Sequence, residues 1–365
     1  NNSWMQQSEG IGFMNGKVYF GTYGSAQIYR YDPSKPFDFG PTADFNPGLV
    51  KDIGDAQDRP FTLTSGDNKL FIGTIPGYGE LGGALTIYDE EQDSWTTHRN
   101  IVENQSVIGL AYKDGKLFGG TSLWGGGGST PVAEEAKIFV WDAEKGEKIA
   151  EFTPEIPGID MEPKMIGELA FGPDGLLWGA VDGTIFATDP ETYEVVKSRV
   201  IYPSTYRHSK WRPFLLRWGE DGLLYTTLGR KITIIDPETL NYKTASAETH
   251  LMTVDNNGFL YYADGSELYR QKILGPETTI DSVYERLEKY VAEDELKHPP
   301  YKQLRNKLSQ AEHHLNKDRP NQAVKHMEDF IDHLLNEGMA KFISKDARNV
   351  LIGDAETLKR HWLNR

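Results

Sequence analysis

The side chains best suited to chemistry in this sequence are basic and aromatic, and they recur at matching places. Arg59-Pro60-Phe61 and Arg212-Pro213-Phe214 each stand just before a run of strand-forming residues. Lys164-Met165-Ile166 and His250-Leu251 hold the same place before two other such runs, and Tyr206-Arg207-His208-Ser209-Lys210-Trp211 lies immediately upstream of Arg212. A guanidinium matches a planar carboxylate or a phosphate with two parallel N–H bonds. Neutralising a carboxylate acidifies the C–H beside it, and a nearby imidazole can then take that proton. On this pattern Arg59 and Arg212 neutralise, His208 or His250 is the base, Tyr206 is the acid and Lys164 gives support. Arg207, Lys210 and Trp211 complete the binding surface. The competing structural role is local ion pairing, for Arg59 with Asp58 or Asp55.

Two long glycine-rich hairpins add aromatic groups. Pro76 to Gly83 carries Tyr78, and Ser122 to Pro131 carries Trp124. Aromatic rings presented on loops suit stacking on sugar rings. The run Gly125-Gly126-Gly127-Gly128 lacks the Lys-Ser/Thr ending of a phosphate-binding loop, so it reads as a flexible connection. Hydrolysis by paired carboxylates is a weaker fit to so basic a set, although Glu134-Glu135 and Glu168 keep it open.

Positioning these groups falls to a repeated unit. Lys17-Val18-Tyr19-Phe20-Gly21-Thr22 returns as Lys69 to Thr74 and as Lys116 to Thr121, with looser copies at Leu176, Leu223 and Phe259. Each copy follows a turn signal such as Asn15-Gly16, Asp67-Asn68 or Asp114-Gly115, which supplies the positive φ of a tight hairpin. A second apolar run then closes on an aspartate in five copies, at Asp32, Asp89, Asp142, Asp189 and Asp236. Four short strands per roughly 45 residues is the period of a β-propeller blade. Residues 8–273 resemble the quinoprotein-like and WD-type propeller superfamily. That resemblance implies a site at one mouth of a central channel, lined by the loops that carry Arg59, Lys164, Arg212 and His250. Six four-stranded repeats are visible, as part of a six- to eight-bladed ring. Residues 1–7 could complete the sixth, or further blades could precede Asn1.

Beyond Pro276 the period changes from two to 3–4. Stripes at Ile280/Val283/Leu287/Tyr290, Tyr301/Leu304/Leu308/Ala311, Ala323/Met327/Phe330/Leu334 and Ala347/Val350/Leu358/Trp362 predict four helices. Pro276 is expected to start the first, Pro320 the third, and Ser344 to cap the fourth. The predicted organisation is an all-β propeller over 1–274 and a small all-α bundle over 275–365. Leu308 to Leu315, Gln322-Ala323, Phe330-Ile331 and Ile343 to Ala355 resemble the FIMAH domain. That resemblance implies a C-terminal appendage of secreted or surface proteins of Gram-positive bacteria, often carbohydrate-active ones. Six of the nine histidines lie here, and they read as solvated or helix-packing groups rather than a metal site.

Composition sharpens the reading. The chain has 365 residues, no cysteine and a net charge of −15. The split is uneven: −14 before Pro276 and −1 after it. An acidic chain without a basic run is a poor partner for nucleic acid. No stretch of about 18 apolar residues exists to span a bilayer. Disulfides, thiolate nucleophiles and cysteine-held metals are excluded. No cofactor is expected; calcium would suit an exported acidic surface, though no EF-hand spacing occurs. A quinone-cofactor dehydrogenase fits less well, since vicinal cysteines are absent.

The expected activity is therefore β-elimination on an acidic, uronate-containing polysaccharide or oligosaccharide by a secreted, extracellular or cell-surface protein. This domain combination resembles polysaccharide lyases in outline. The alternative is a non-catalytic glycan-binding scaffold, joined to other modules of a longer surface protein.

Overall fold

The structure, a computed structural model, describes residues 5–203, 210–211, 214–249, 251–255, 258–273, 278–339 and 341–363. The chain divides into two compact units. One comprises residues 1–218 and 224–252, the other residues 219–223 and 253–365.

The first unit is a succession of four-stranded antiparallel sheets. Strands β1 (Ser8–Met14), β2 (Lys17–Thr22), β3 (Gln27–Tyr31) and β4 (Gly48–Asp52) pair in that order. The next two sheets repeat the scheme. They are β5 (Gln57–Gly66), β6 (Lys69–Pro76), β7 (Ala84–Asp89) and β8 (Ser94–Arg99), then β9 (Ser106–Lys113), β10 (Lys116–Ser122), β11 (Ile138–Asp142) and β12 (Glu147–Phe152). The fourth holds β13 (Ala170–Phe171), β14 (Leu177–Val181), β15 (Thr184–Thr188) and β16 (Val195–Val200). The fifth holds β17 (Leu216–Trp218), β18 (Leu224–Thr226), β19 (Lys231–Ile235) and β20 (Tyr242–Glu248). Innermost strands of successive sheets lie side by side, β1 with β5, β5 with β9 and β9 with β13. This is the propeller arrangement that the repeats predict.

Turn chemistry sets the register. The Asn15-Gly16 turn pairs Met14 with Lys17, and φ is +48° and +74° at its two residues. The aspartates that close the third strands have a structural role. Asp142 accepts from the backbone N–H of Glu144 and Lys145, Asp189 from Glu191 and Thr192, and Asp236 from Glu238 and Thr239. They tie the turn to the outermost strand, as Asx turns do.

Those bonds favour the ionised form. The Ser34 hydroxyl and N–H hold Asp32 below its ordinary pKa, and backbone N–H groups of Lys145 and Thr192 hold Asp142 and Asp189 down. Asp236 is lowered chiefly by Thr239. A carboxyl whose folded pKa is depressed contributes stability above the unfolded value, and loses it as pH falls through the folded one. The urea midpoint is expected to be flat above about pH 5 and to drop below about pH 4. A midpoint that stays flat into stronger acid would contradict this role for the repeated aspartate.

The second unit contains a sheet of three strands, β21 (Met252–Val254), β22 (Phe259–Asp264) and β23 (Glu267–Lys272), and four helices. The sheet lacks a fourth strand among the described residues, as the sixth repeat suggested. Helix α1 (Ile280–Ala292) starts at Thr279, whose side chain and that of Ser282 form a reciprocal capping box. The cap therefore lies at Thr279; Pro276 is outside the described residues. The remaining helices are α2 (His298–Leu315), α3 (Pro320–Leu335) and α4 (Lys345–Leu363). His298-Pro299-Pro300 forms the first turn of α2, where proline's missing N–H costs nothing. Ser344 caps α4 by accepting from the Ala347 N–H at 3.1 Å. The four stripes meet in one core around Leu287, Leu308, Met327, Phe330 and Leu351. Stacked rings of His314 and His326, 5.1 Å apart, join α2 to α3.

Candidate functional site

A cluster of polar and aromatic groups in the first unit sits where β1 and β5 begin. Register places Glu9 near the start of β1 and Arg59 near the start of β5. Arg59 Nη1 donates to Glu9 Oε1 at 2.7 Å, and the Glu9 side chain is only 3% exposed. The guanidinium lies over the Tyr23 ring at 4.0 Å and within 5.3 Å of the Trp211 ring. The Tyr23 and Tyr78 hydroxyls share a hydrogen bond of 3.1 Å, and Tyr78 is 68% exposed. That bond holds the Tyr23 pKa above its ordinary value, against the pull of Arg59.

The two glycine-rich loops form one structure. Gly79 N–H donates to the Gly127 carbonyl at 2.8 Å, and Gly126 N–H donates to the Glu80 carbonyl at 3.0 Å. A Cβ on Gly126 would lie 1.8 Å from the Gly77 carbonyl oxygen, so only glycine permits this approach. The run expected to be a flexible connection is instead an interlock, and Gly127 lies under the Tyr78 ring. Trp211 Nε1–H donates to the Gly125 carbonyl at 2.7 Å, and Ser122 Oγ donates to the Lys210 carbonyl at 2.7 Å. Lys210 and Trp211 are thereby pinned to the loop that carries Trp124. The Trp124 carbonyl accepts from Ser106 Oγ, and its side chain packs against the apolar cluster that includes Ile75, Ile108 and Met165.

The structure thus gathers Arg59, Tyr78 and Trp211 around one surface, with Lys210 held against the loop that carries Trp124. Lys164 is placed differently. Its Nζ donates to the Glu134 carbonyl at 2.7 Å, which commits the amine to the loop before β11. Tyr206, Arg207, His208, Arg212 and His250 lie outside the described residues. Glu168, considered for hydrolysis, accepts from the Leu216 N–H at 2.7 Å and from Arg217, and so braces β17. The local partners Asp58 and Asp55 do not take Arg59; Asp58 accepts from the Ser25 N–H instead.

Sequence reasoning did not find Glu9 and Tyr23. Glu9 is fifty residues from Arg59, and Tyr23 is one aromatic among many in a strand-rich region. The available signal was positional: Tyr23 occupies the second-to-third-strand hairpin of the first repeat, as Tyr78 does in the second.

Residues 280–360 match the FIMAH domain, so the helical bundle is a FIMAH domain. No curated protein matches this sequence. Among solved structures, a streptogramin B lyase aligns with a TM-score of 0.52 at 13% identity, over 75% of this chain and 85% of that one. The extracellular domain of a hybrid two-component system protein from B. thetaiotaomicron aligns with a TM-score of 0.50 at 13% identity. That match covers 73% of this chain and 33% of the other. Likeness at this identity establishes the propeller fold.

Proposed function

We propose that this chain recognises an acidic polysaccharide at the propeller mouth built from Glu9, Tyr23, Arg59, Tyr78 and Trp211. One observation carries the reading: a guanidinium bonded to a buried carboxylate and set over aromatic rings, beside a tyrosine open to solvent. Among the described residues only Nη1 of Arg59 has a hydrogen-bond partner. Its remaining N–H groups suit sugar hydroxyls or a uronate carboxylate, and Tyr78 offers a face for the ring. The Glu9 partnership fixes the guanidinium before a ligand arrives, which lowers the ordering cost of binding.

The catalytic form of this reading is β-elimination. Arg59 and Arg212 neutralise the uronate carboxylate, and His208 or His250 takes the C5 proton. The C4–O bond then breaks to leave a C4–C5 double bond, and Tyr206 protonates the departing oxygen. Lys164 contributes by ordering the neighbouring loop. Secretion, the setting implied by the FIMAH domain, would bring such a protein to extracellular glycans. The competing function is binding without turnover, as a surface scaffold.

A panel of acidic and neutral polysaccharides, titrated into the full chain by calorimetry, tests recognition. Ultraviolet absorbance of the unsaturated uronate tests elimination. Tyr78→Ala is expected to weaken binding about tenfold, or about 1.4 kcal/mol. Affinity for none of the acidic polymers, or full affinity in Tyr78→Ala, rejects the site. Binding without any absorbance change selects the scaffold.

A further inference from the structure

A second cluster of cations lies on the first sheet, at the end away from Tyr23. The β2–β3 hairpin carries Tyr23 at one end of the sheet, while Lys17 opens β2 and Arg30 lies near the close of β3 at the other. A cleft of about 210 Å³ there is lined by Lys17, Arg30, Asp32, Lys35, Asp44 and Asn46, among others. The volume is ample for a sulfate, a phosphate or a sugar carboxylate.

The sheet register makes this cleft. Arg30 pairs with Tyr19 on β2 and with Gly48 on β4. Gly48 offers no side chain to cover the guanidinium, and none fits: a Cβ would lie 2.1 Å from the Thr42 carbonyl oxygen. The loop over the cleft is held by Asn46, whose side-chain amide donates to the carbonyls of Asp32 and Pro36 and accepts from the Asp32 N–H. The opening is therefore built rather than left by a loose loop.

Charge in the cleft is unevenly compensated. Lys17 is paired with Glu90. Asp32 spends Oδ1 on the N–H and hydroxyl of Ser34, and its Oδ2 is 3.7 Å from Lys35 Nζ. Lys35 is 69% exposed and free to swing. Among the described residues, no carboxylate lies within ion-pair distance of Arg30. The Tyr19 hydroxyl beside it is buried; burial pushes its pKa up to about 12, so it stays protonated at neutral pH. The Arg30 charge reaches Glu90, but that carboxylate is bonded to Lys17 and Asn15, so the half-buried guanidinium makes no direct ion pair and an added anion would stabilise it.

We propose that this cleft binds a small oxyanion through Arg30 and Lys35. The group recognised is a carboxylate or a tetrahedral sulfate or phosphate, of the kind carried by acidic sugars. Arg30 supplies two parallel N–H donors and Lys35 closes over the ligand as a mobile point charge. This site is separate from the mouth and does not depend on its chemistry.

Calorimetric or NMR titration of the full chain with glucuronate, inorganic sulfate and inorganic phosphate tests it. At least one anion should saturate, and the pattern among the three separates planar from tetrahedral ligands. Arg30→Gln is expected to weaken binding at least about tenfold, and Lys35→Gln about threefold. Tyr78→Ala should leave it unchanged. Lys35 is exposed, so its variant guards against a folding defect in Arg30→Gln. Lack of saturable binding to all three anions would overturn the proposal. So would binding retained in both variants, or binding lost in Tyr78→Ala, which would assign the anion to the mouth.

Discussion

Gly126→Ala is expected to lower the stability of the propeller unit by about 3 kcal/mol and to cost most of the affinity at the mouth. The added methyl would meet backbone on two sides, 1.8 Å from the Gly77 oxygen and 2.7 Å from the Pro76 oxygen. A flexible side chain can yield to such a contact, but a backbone carbonyl inside a hairpin cannot without moving the strand. Overpacking of this kind costs about 1–3 kcal/mol and occasionally more. The functional loss follows from the same contact. Separating the two loops breaks the Gly79–Gly127 and Gly126–Glu80 hydrogen bonds and removes the floor beneath Tyr78.

Gly128→Ala is the natural comparison. Gly128 has φ of +81° and open space around its Cβ position. It should cost only the backbone strain of a left-handed alanine, about 1–2 kcal/mol, and spare the mouth. Urea unfolding and hydrogen exchange at the Gly79 and Gly126 amides measure both variants. Equal effects at the two positions would mean that close approach is not what the run of glycines serves.

That contrast shows why the fold was more legible than the site. Hairpin turns and helix caps are local, so Asn15-Gly16 and Ser344 announce their geometry within a few residues. The recurring aspartates are local too, because each binds N–H groups two or three residues ahead. The mouth depends on pairs far apart in the chain. Arg59 meets Glu9 because β1 and β5 are innermost strands of adjacent blades, and no spacing rule encodes that meeting. The glycine run looked pliable because composition reports what glycine allows, and not which backbone comes close. Lys164 shows the same gap in reverse: its position in the repeat was legible, but the Glu134 carbonyl that takes its amine was not.

A comparable distance effect governs the second unit, where Asp354→Ala is expected to cost about 3 kcal/mol. Asp354 lies on α4 and is 4% exposed. Its carboxylate sits 3.1 Å from Arg286 Nε of α1 and 3.6 Å from Lys272 Nζ of β23. Burial raises its pKa, and the two cations act against that rise. The triad joins the last strand of the sheet to two helices of the FIMAH domain. Gly353 packs against the Lys272 side chain, and a Cβ there would lie 2.4 Å from Nζ, so the amine would have to shift. Removing only the carboxylate leaves two cations facing one another in a largely dry place. Breaking a buried pair from one side costs about 3–5 kcal/mol, and the lower end applies because Arg286 is partly solvated. Replacing Asp354, Lys272 and Arg286 together by Leu, Met and Met should recover much of the loss, because the desolvation penalty disappears with all three charges. Thermal unfolding of the full chain, with amide hydrogen exchange in α4 as a local probe, would show whether the helices loosen before the propeller melts. If Asp354→Ala unfolds at the parent's temperature, the triad is not what fastens the FIMAH helices to β23, and apolar packing alone holds that junction.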